Sequence, residues 1–252
     1  MLIYSRRRRG RIAEADRYLR SVLSDALLIG WYDTRFPWTI DAAAVGSWGD
    51  ARGASGYGPA LVQATAADKP AYSASAQTIT FDGVSEYLRA TSATWNTITA
   101  AHAIVLVGTV PSTGATDAER MVETSTAAGA SVLMIRREVS NGVMSFIAAG
   151  GSPSVGRAAP SGRSILHCHR TASSGGNVTV LGRVGSAAST TATAATTDAT
   201  MNRLTLGASR FDVATLFADM ALRAALVIKG DYTAAQQVAV NEWAKAVHGA
   251  SV

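Results

Sequence analysis

Charge is scarce in this sequence. Asp, Glu, Lys and Arg together make up 16% of its 252 residues, against roughly 25% in ordinary soluble domains. Cysteine is almost absent: with Cys168 alone, no internal disulfide can form, which fits synthesis in a reducing cytosol. No run of about 18 apolar residues occurs, so no membrane-spanning helix is expected. A secretion signal is not expected either, because Ala15-Asp16-Arg17-Tyr18-Leu19-Arg20 interrupts any apolar stretch behind the basic start. A Gly-x-Ser-x-Gly elbow is missing, which removes the local signature of one large class of serine hydrolases. What replaces charge is Ala, Ser, Thr and Gly, small residues suited to tight turns and flat β surfaces, and 48% hydrophobic residues supply a core.

The charge that exists is unevenly placed. Seven of the 23 basic residues lie in the first twenty positions (Arg6, Arg7, Arg8, Arg9, Arg11, Arg17 and Arg20), with only two of the 18 acidic ones, Glu14 and Asp16. The rest of the chain is formally neutral, so the net charge of +5 belongs to a short basic arm. A neutral body has no long-range attraction to nucleic acid or an acidic surface, whereas four consecutive arginines do. Ile12, Ala15, Leu19, Val22 and Ala26 recur at helical spacing, predicting a helix over 11–26 with one narrow apolar seam. That seam serves packing on its own domain or on a partner. We expect residues 1–26 to form an anchoring arm, with Arg6, Arg7, Arg8, Arg9, Ile12, Leu19 and Val22 contacting a partner. The remaining residues, 27–252, are expected to form one domain.

From Leu27 the period changes. Short apolar runs follow at 27–32, 79–81, 87–89, 102–107, 131–137, 143–148, 165–170, 204–206 and 220–228, separated by Asp82-Gly83, Asn141-Gly142 and Ser174-Gly175-Gly176-Asn177. Val178, Val180 and Val184 alternate with Thr179, Leu181 and Arg183, the period of a half-buried strand. The stretch 186–200, low in complexity, is expected to be a polar surface strand plus loop. Many short strands without interleaved helices predict an all-β fold, an antiparallel sandwich. Thr233-Ala234-Ala235-Gln236 has capping-box form, and Val240, Trp243, Ala244 and Val247 precede Gly249, predicting a C-terminal helix.

Trp31-Tyr32-Asp33, Val45-Gly46-Ser47-Trp48-Gly49-Asp50, Lys69-Pro70-Ala71-Tyr72 and Thr80-Phe81-Asp82-Gly83-Val84-Ser85-Glu86-Tyr87-Leu88 resemble, in order and content, the concanavalin A-like lectin/glucanase (laminin G-like) jelly-roll modules of bacteriophage virion proteins. So does the ending, from Leu204-Thr205-Leu206-Gly207-Ala208 to the helix with Trp243. The resemblance covers roughly residues 27–249. It implies a jelly-roll sandwich, synthesis in a host cytoplasm, and a place in the virion as a non-enzymatic structural protein, a decoration, tail or fibre module present in several copies. Other virion proteins are the implied partners of the arm; membrane and nucleic acid are not.

Sites of chemistry are few. A glucanase needs two facing carboxylates, but no Glu-x-Asp-x-x-Glu pattern is present, and Glu119 and Glu123 are expected to face opposite ways, so the chain is not expected to be an enzyme. His167 and His169 share one face of a strand, a metal half-site, with Cys168 a core thiol on the other. No resident cofactor is expected. Calcium is favoured over zinc or nickel at the histidines, held by Asp33, Asp50 and Asp82 at loop edges, since related lectin folds often hold it and oxygen-rich loops suit a hard cation. Trp38 and Tyr57 are the rings placed to stack on a sugar. Through them the chain is alternatively a carbohydrate-binding adhesin recognising a host surface glycan.

Overall fold

The structure, a computed structural model, describes all residues except 1, 37–38, 42–43, 53–57, 92–94, 96–97, 99–100, 112–117, 139–141, 149–151, 197, 210–214 and 252; for 2–9 and 39–41 it describes the backbone only. The first element is the helix α1 (Leu2–Val22). Among the described residues seventeen strands follow: β1 (Leu28–Asp33), β2 (Thr39–Asp41), β3 (Ala44–Trp48), β4 (Leu61–Val62), β5 (Ala71–Ser73), β6 (Thr78–Asp82), β7 (Leu88–Thr91), β8 (His102–Thr109) and β9 (Glu119–Ser125). After them come β10 (Ser131–Arg137), β11 (Val143–Ala148), β12 (Ser154–Ala158), β13 (Arg163–Arg170), β14 (Asn177–Val184), β15 (Thr190–Ala195), β16 (Arg203–Leu206) and β17 (Asp219–Lys229). Helix α2 (Ala234–His248) ends the series.

Every ladder between these strands is antiparallel, and together they make one continuous sheet folded over on itself. One layer runs β15–β14–β13–β8–β17, with β1 and β6 end to end along the far edge of β17. The other runs β12–β11–β10–β9–β16–β7–β4–β3–β2. The short β5 pairs with both β3 and β6 and joins the layers. The expected all-β antiparallel architecture with a helix at each end is therefore present.

Alternation along the strands divides the core in two. From β8 and β17, Ile104, Leu106, Ala225 and Val227 point between the layers, where they meet Leu133, Ile135, Val122 and Leu204. Ala103, Val105, Val107, Ala224, Leu226 and Ile228 point the other way, under the helices. With both faces covered, these strands read as near-continuous apolar runs, whereas the outer strand β15 keeps strict half-exposure and its Thr/Ala sequence follows from that. In β14 the inward series Val178, Val180 is continued by Gly182, where a Cβ would run into the Phe146 ring and Val155. The missing side chain makes room for that ring.

Helix α2 begins and ends where its caps are. Thr233 and Gln236 form both halves of the capping box, and Gly249 takes the left-handed conformation (φ 62°) that closes the last turn. Helix α1 departs from expectation at both ends. It begins at Leu2, so the arginine run is helical backbone, as the good helix propensity of Arg allows. It stops at Val22, and Leu27 and Leu28 close the following turn on the Ser24 carbonyl.

The seam of α1 corrects the partner reading of Leu19. Leu19 and Leu23 are fully buried with Leu28, Trp31, Val240 and Trp243, while Ile12 and Ala15 pack at the edge of the same cluster; Val22 is half-buried. Asp16 accepts a hydrogen bond from the Trp243 indole (2.9 Å) and two from the Arg35 guanidinium (2.9 and 3.0 Å). Residues 12–23 are thus a cover for the outer face of the sheet. The reason is area: β8 and β17 leave an apolar face that α2 alone does not close.

Candidate functional site

The sequence-predicted residues do not converge on one place. Trp38 and Tyr57 lie outside the described residues, and so do the side chains of Arg6, Arg7, Arg8 and Arg9. The three aspartates are each engaged by the chain itself. Asp33 is fully buried and takes the Arg35 guanidinium at 2.5–3.0 Å, with His248 Nε2 at 3.5 Å. Burial alone would raise its pKa, but hydrogen bonds from His248 and Arg35 and their charges outweigh that and hold it at about 2. Asp50 is buried, pairs with Arg52 (2.7 Å) and accepts from the Trp31 backbone N–H. Asp82 accepts from the amides of Val84, Ser85 and Glu86, organising a turn. Among the described residues no group of three or more His, Cys, Asp or Glu is arranged to hold a metal ion.

Glu119 and Glu123 are also committed to cations, Glu119 to Arg137 (2.5 Å) and Glu123 to Arg120, with a slip of register between them. His167 and His169 do share a face of β13, yet both are absorbed by α2 and the residues before it. His167 Nε2 meets the Asn241 carbonyl oxygen and Nδ1 meets the Tyr232 hydroxyl, both at 2.9 Å. A carbonyl only accepts, so Nε2 carries the proton and Nδ1 accepts from Tyr232. The His169 ring accepts from the Tyr232 amide. Both nitrogens of His167 are occupied, which removes it as a metal ligand. Burial pushes His167 down to about 3 and His169 to about 4. Cys168 is buried among core residues, and burial pushes its thiol well up.

One concave feature assembles polar groups from distant parts of the chain: a pocket of about 370 Å³ where the end of α2, the start of β13, the middle of β17 and the β5–β6 turn meet. Ser75, Gln77, Arg163, Arg223, Lys245 and His248 are among its lining residues, and among the described residues none that lines it is acidic. Its volume falls in the range of ordinary ligand sites, roughly 300–1,000 Å³. Each cation has its own reason to be there. Lys245 and His248 occupy the last turn of α2, and Arg163 Nη1 donates to the His248 carbonyl at 2.7 Å, so these groups complement the negative end of the helix dipole.

Arg223 is different. It sits where β17 slips register against β8, between Leu222 and Ala224, a bulge that redirects a side chain out of the regular alternation. Gly108 stands opposite, and a Cβ there would strike the Ala221 carbonyl and Leu222. The Thr34 amide donates to the Arg223 carbonyl, and the Thr34 hydroxyl lies 2.9 Å from both that carbonyl and the Gln77 carbonyl. Thr34 thus ties the bulge to the β5–β6 turn, where Gln77 holds a left-handed backbone (φ 51°), uncommon for a residue with a long side chain. Burial, and then the charge of Arg163, lower the Arg223 pKa; the guanidinium nonetheless stays charged.

Sequence reasoning missed this pocket entirely. The available signal was Arg223 itself, one charge inside the apolar run 220–228, but nothing local joined it to residues 75, 163 and 245.

No family model matches the chain, and no curated protein matches it either. Solved structures do. A sialidase of Trypanosoma rangeli in complex with sialic acid is similar over 98% of this chain and 39% of its own, with a TM-score of 0.60 at 11% identity. Another structure of the T. rangeli sialidase gives a TM-score of 0.56 at 11% identity, covering 98% of this chain and 39% of its own. The binding domain of botulinum neurotoxin DC in complex with SialylT has a TM-score of 0.45 at 8% identity over 66% of this chain and 41% of its own. The chain thus spans about two fifths of the sialidases it matches, and at this identity the likeness is one of fold. It corrects one expectation. The exclusion of an enzyme rested on a glucanase carboxylate pattern, and the fold is one that also occurs within sialidase chains, so the exclusion is overturned.

Proposed function

We propose that the chain is a carbohydrate-binding module of concanavalin A-like type, with the pocket at the end of α2 as its binding site. The observation that carries this reading is the pocket's lining: amide, hydroxyl, guanidinium and ammonium groups held by four separate elements, a donor set suited to sugar hydroxyls. The shared fold supports it, since the matching sialidase binds a sugar acid in its own structure. Trp38 and Tyr57 belong to the proposal as additional stacking surfaces. On an array of neutral and acidic glycans, the protein is expected to bind a defined subset. Ala76→Trp, which fills the pocket mouth, abolishes that binding, and Val84→Ser, at a 72% exposed site elsewhere, leaves it unchanged. Trp38→Ala weakens it if the ring stacks on the sugar. A folded protein that binds no glycan of any class overturns the reading.

A second reading is supported by α1, whose backbone continues as helix from Leu2 through the arginines. Gly10 has open space around it and Arg11 is exposed. In this reading the module is one of several copies on a phage or phage-like particle, seated through Arg6–Arg9 in an acidic groove of a neighbouring virion protein. Changing those four arginines to Glu is then expected to abolish co-sedimentation with particles and leave the thermal midpoint unaltered; co-sedimentation at the unmodified level refutes it.

A further inference from the structure

We propose that the pocket at the end of α2 receives the anionic substituent, carboxylate or sulfate, of an acidic sugar, with the Arg223 guanidinium as its principal contact and Lys245 as a second. The inference rests on the glycan-binding reading and deepens it by naming the ligand class.

The electrostatics of the pocket are incomplete. Arg163, Arg223 and Lys245 bring three fixed positive charges to one concavity; among the described residues its lining includes no carboxylate and none of the three has an ion-pair partner. Asp33, 3.5 Å from His248 Nε2, is fully buried and taken up by Arg35. Helix capping accounts for Arg163 and for the placement of Lys245, but not for Arg223, which comes from a strand and whose Nε is a buried donor without a hydrogen-bond acceptor. A buried donor left unmatched costs free energy, and like charges held together cost more. A chain that retains both, on a bulge stapled by Thr34 beside a left-handed Gln77, is preorganised for something that supplies acceptors and negative charge. A planar guanidinium fork matches the paired oxygens of a carboxylate or a sulfate. Ser75 and Gln77, one polar turn away, can hydrogen-bond the ring hydroxyls next to that group. An anion alone would need only the cations; the amide and hydroxyl wall is what points to a sugar that carries one.

The test uses the full chain and its Arg223→Gln and Lys245→Gln variants, with binding followed by NMR and calorimetry. Glucose, glucuronate and glucose 6-sulfate are the probes, and the same variants are run on an array of neutral and acidic glycans. Arg163 is left alone because it caps α2. The inference expects glucuronate or glucose 6-sulfate to bind and glucose not to, the first two distinguishing carboxylate from sulfate. It expects Arg223→Gln to weaken binding roughly ten- to hundredfold at a thermal midpoint no lower than that of the wild type, Lys245→Gln to weaken it less, and added salt to weaken it in the wild type. Should Arg223→Gln fail to fold, the exposed Lys245 and the salt dependence carry the test. Array binding to neutral glycans that is indifferent to both variants overturns the inference and leaves the glycan-binding reading standing. No binding to any glycan overturns both.

Discussion

Lowering the pH from 7 to 4 is expected to remove much of the protein's stability, beginning well above the range in which carboxylates titrate. The cause is the pair of histidines under α2. Held neutral by burial, His167 has its pKa lowered from 6.5 to about 3 and His169 from 6.5 to about 4. The unfolded chain binds protons at these sites near pH 6.5 and the folded chain does not. Their contribution is therefore fully present above pH 6.5 and is lost as pH falls, down to about 4 for His169 and about 3 for His167. Each histidine costs roughly 1.4 kcal/mol per pH unit inside its window. Between pH 6 and 4 the two together approach 5 kcal/mol, comparable to the whole stability of many domains. Asp33 adds a separate acid step: with a folded pKa lowered to about 2, its contribution is lost only as pH falls below about 4. Urea midpoints measured at pH 7.5, 6, 5 and 4 check this. The midpoint is expected to fall steadily, and the His167→Gln/His169→Gln double variant to be much flatter over the same interval. A wild-type midpoint that does not move between pH 7 and 5 would mean that the histidines are accessible to protons in the folded state.

Replacing Leu19 and Leu23 together by Ala is expected to bring the whole domain near the threshold of unfolding. Both side chains are fully buried in the cluster between the sheet and the two helices. A buried Leu→Ala change costs about 2–5 kcal/mol each, and because the two sites share neighbours the sum will not be simply additive. Removing residues 1–26 has a larger effect, because it uncovers Leu28, Trp31 and Trp243 at once and deprives Trp243 of Asp16 and Arg35 of one of its two carboxylates. Removing residues 1–10 takes off the start of α1 but keeps the described contacts of Ile12, Asp16, Leu19 and Leu23, and is expected to cost less than either change. Chemical denaturation of the three proteins, followed by tryptophan fluorescence, distinguishes a detachable arm from a structural cover. A 27–252 fragment as stable as the full chain would restore the division of the chain at residue 26 and refute the packing argument.

The sequence by itself determined many of the strands and both caps of α2, but not β2–β5, β9 or β12. Alternation in 178–184, the apolar runs 102–107, 131–137, 143–148 and 220–228, the polar strand within 186–200, and both caps of α2 are properties of contiguous residues. Period, propensity and turn chemistry act locally, so they are legible without the fold. The pairing of His167 and His169 on one face, with Cys168 on the other, was legible for the same reason. What the helix of residues 2–22 packs against was not legible, because an apolar seam has the same spacing whether its partner is its own sheet or another chain; only the uncovered outer face of β8 and β17 decided it. Nor could spacing show that Asp33, Asp50 and Asp82 are spent on two arginines and a turn, since ion pairs form between residues brought together by folding. The pocket lies furthest from the sequence. Its groups come from positions 75–77, 163, 223 and 245–249, and they meet because a bulge in β17 turns Arg223 toward the end of a helix that the chain reaches only after every strand is complete. A site made of long-range neighbours has no local period, and its charge is visible only when the surfaces that carry it have been packed.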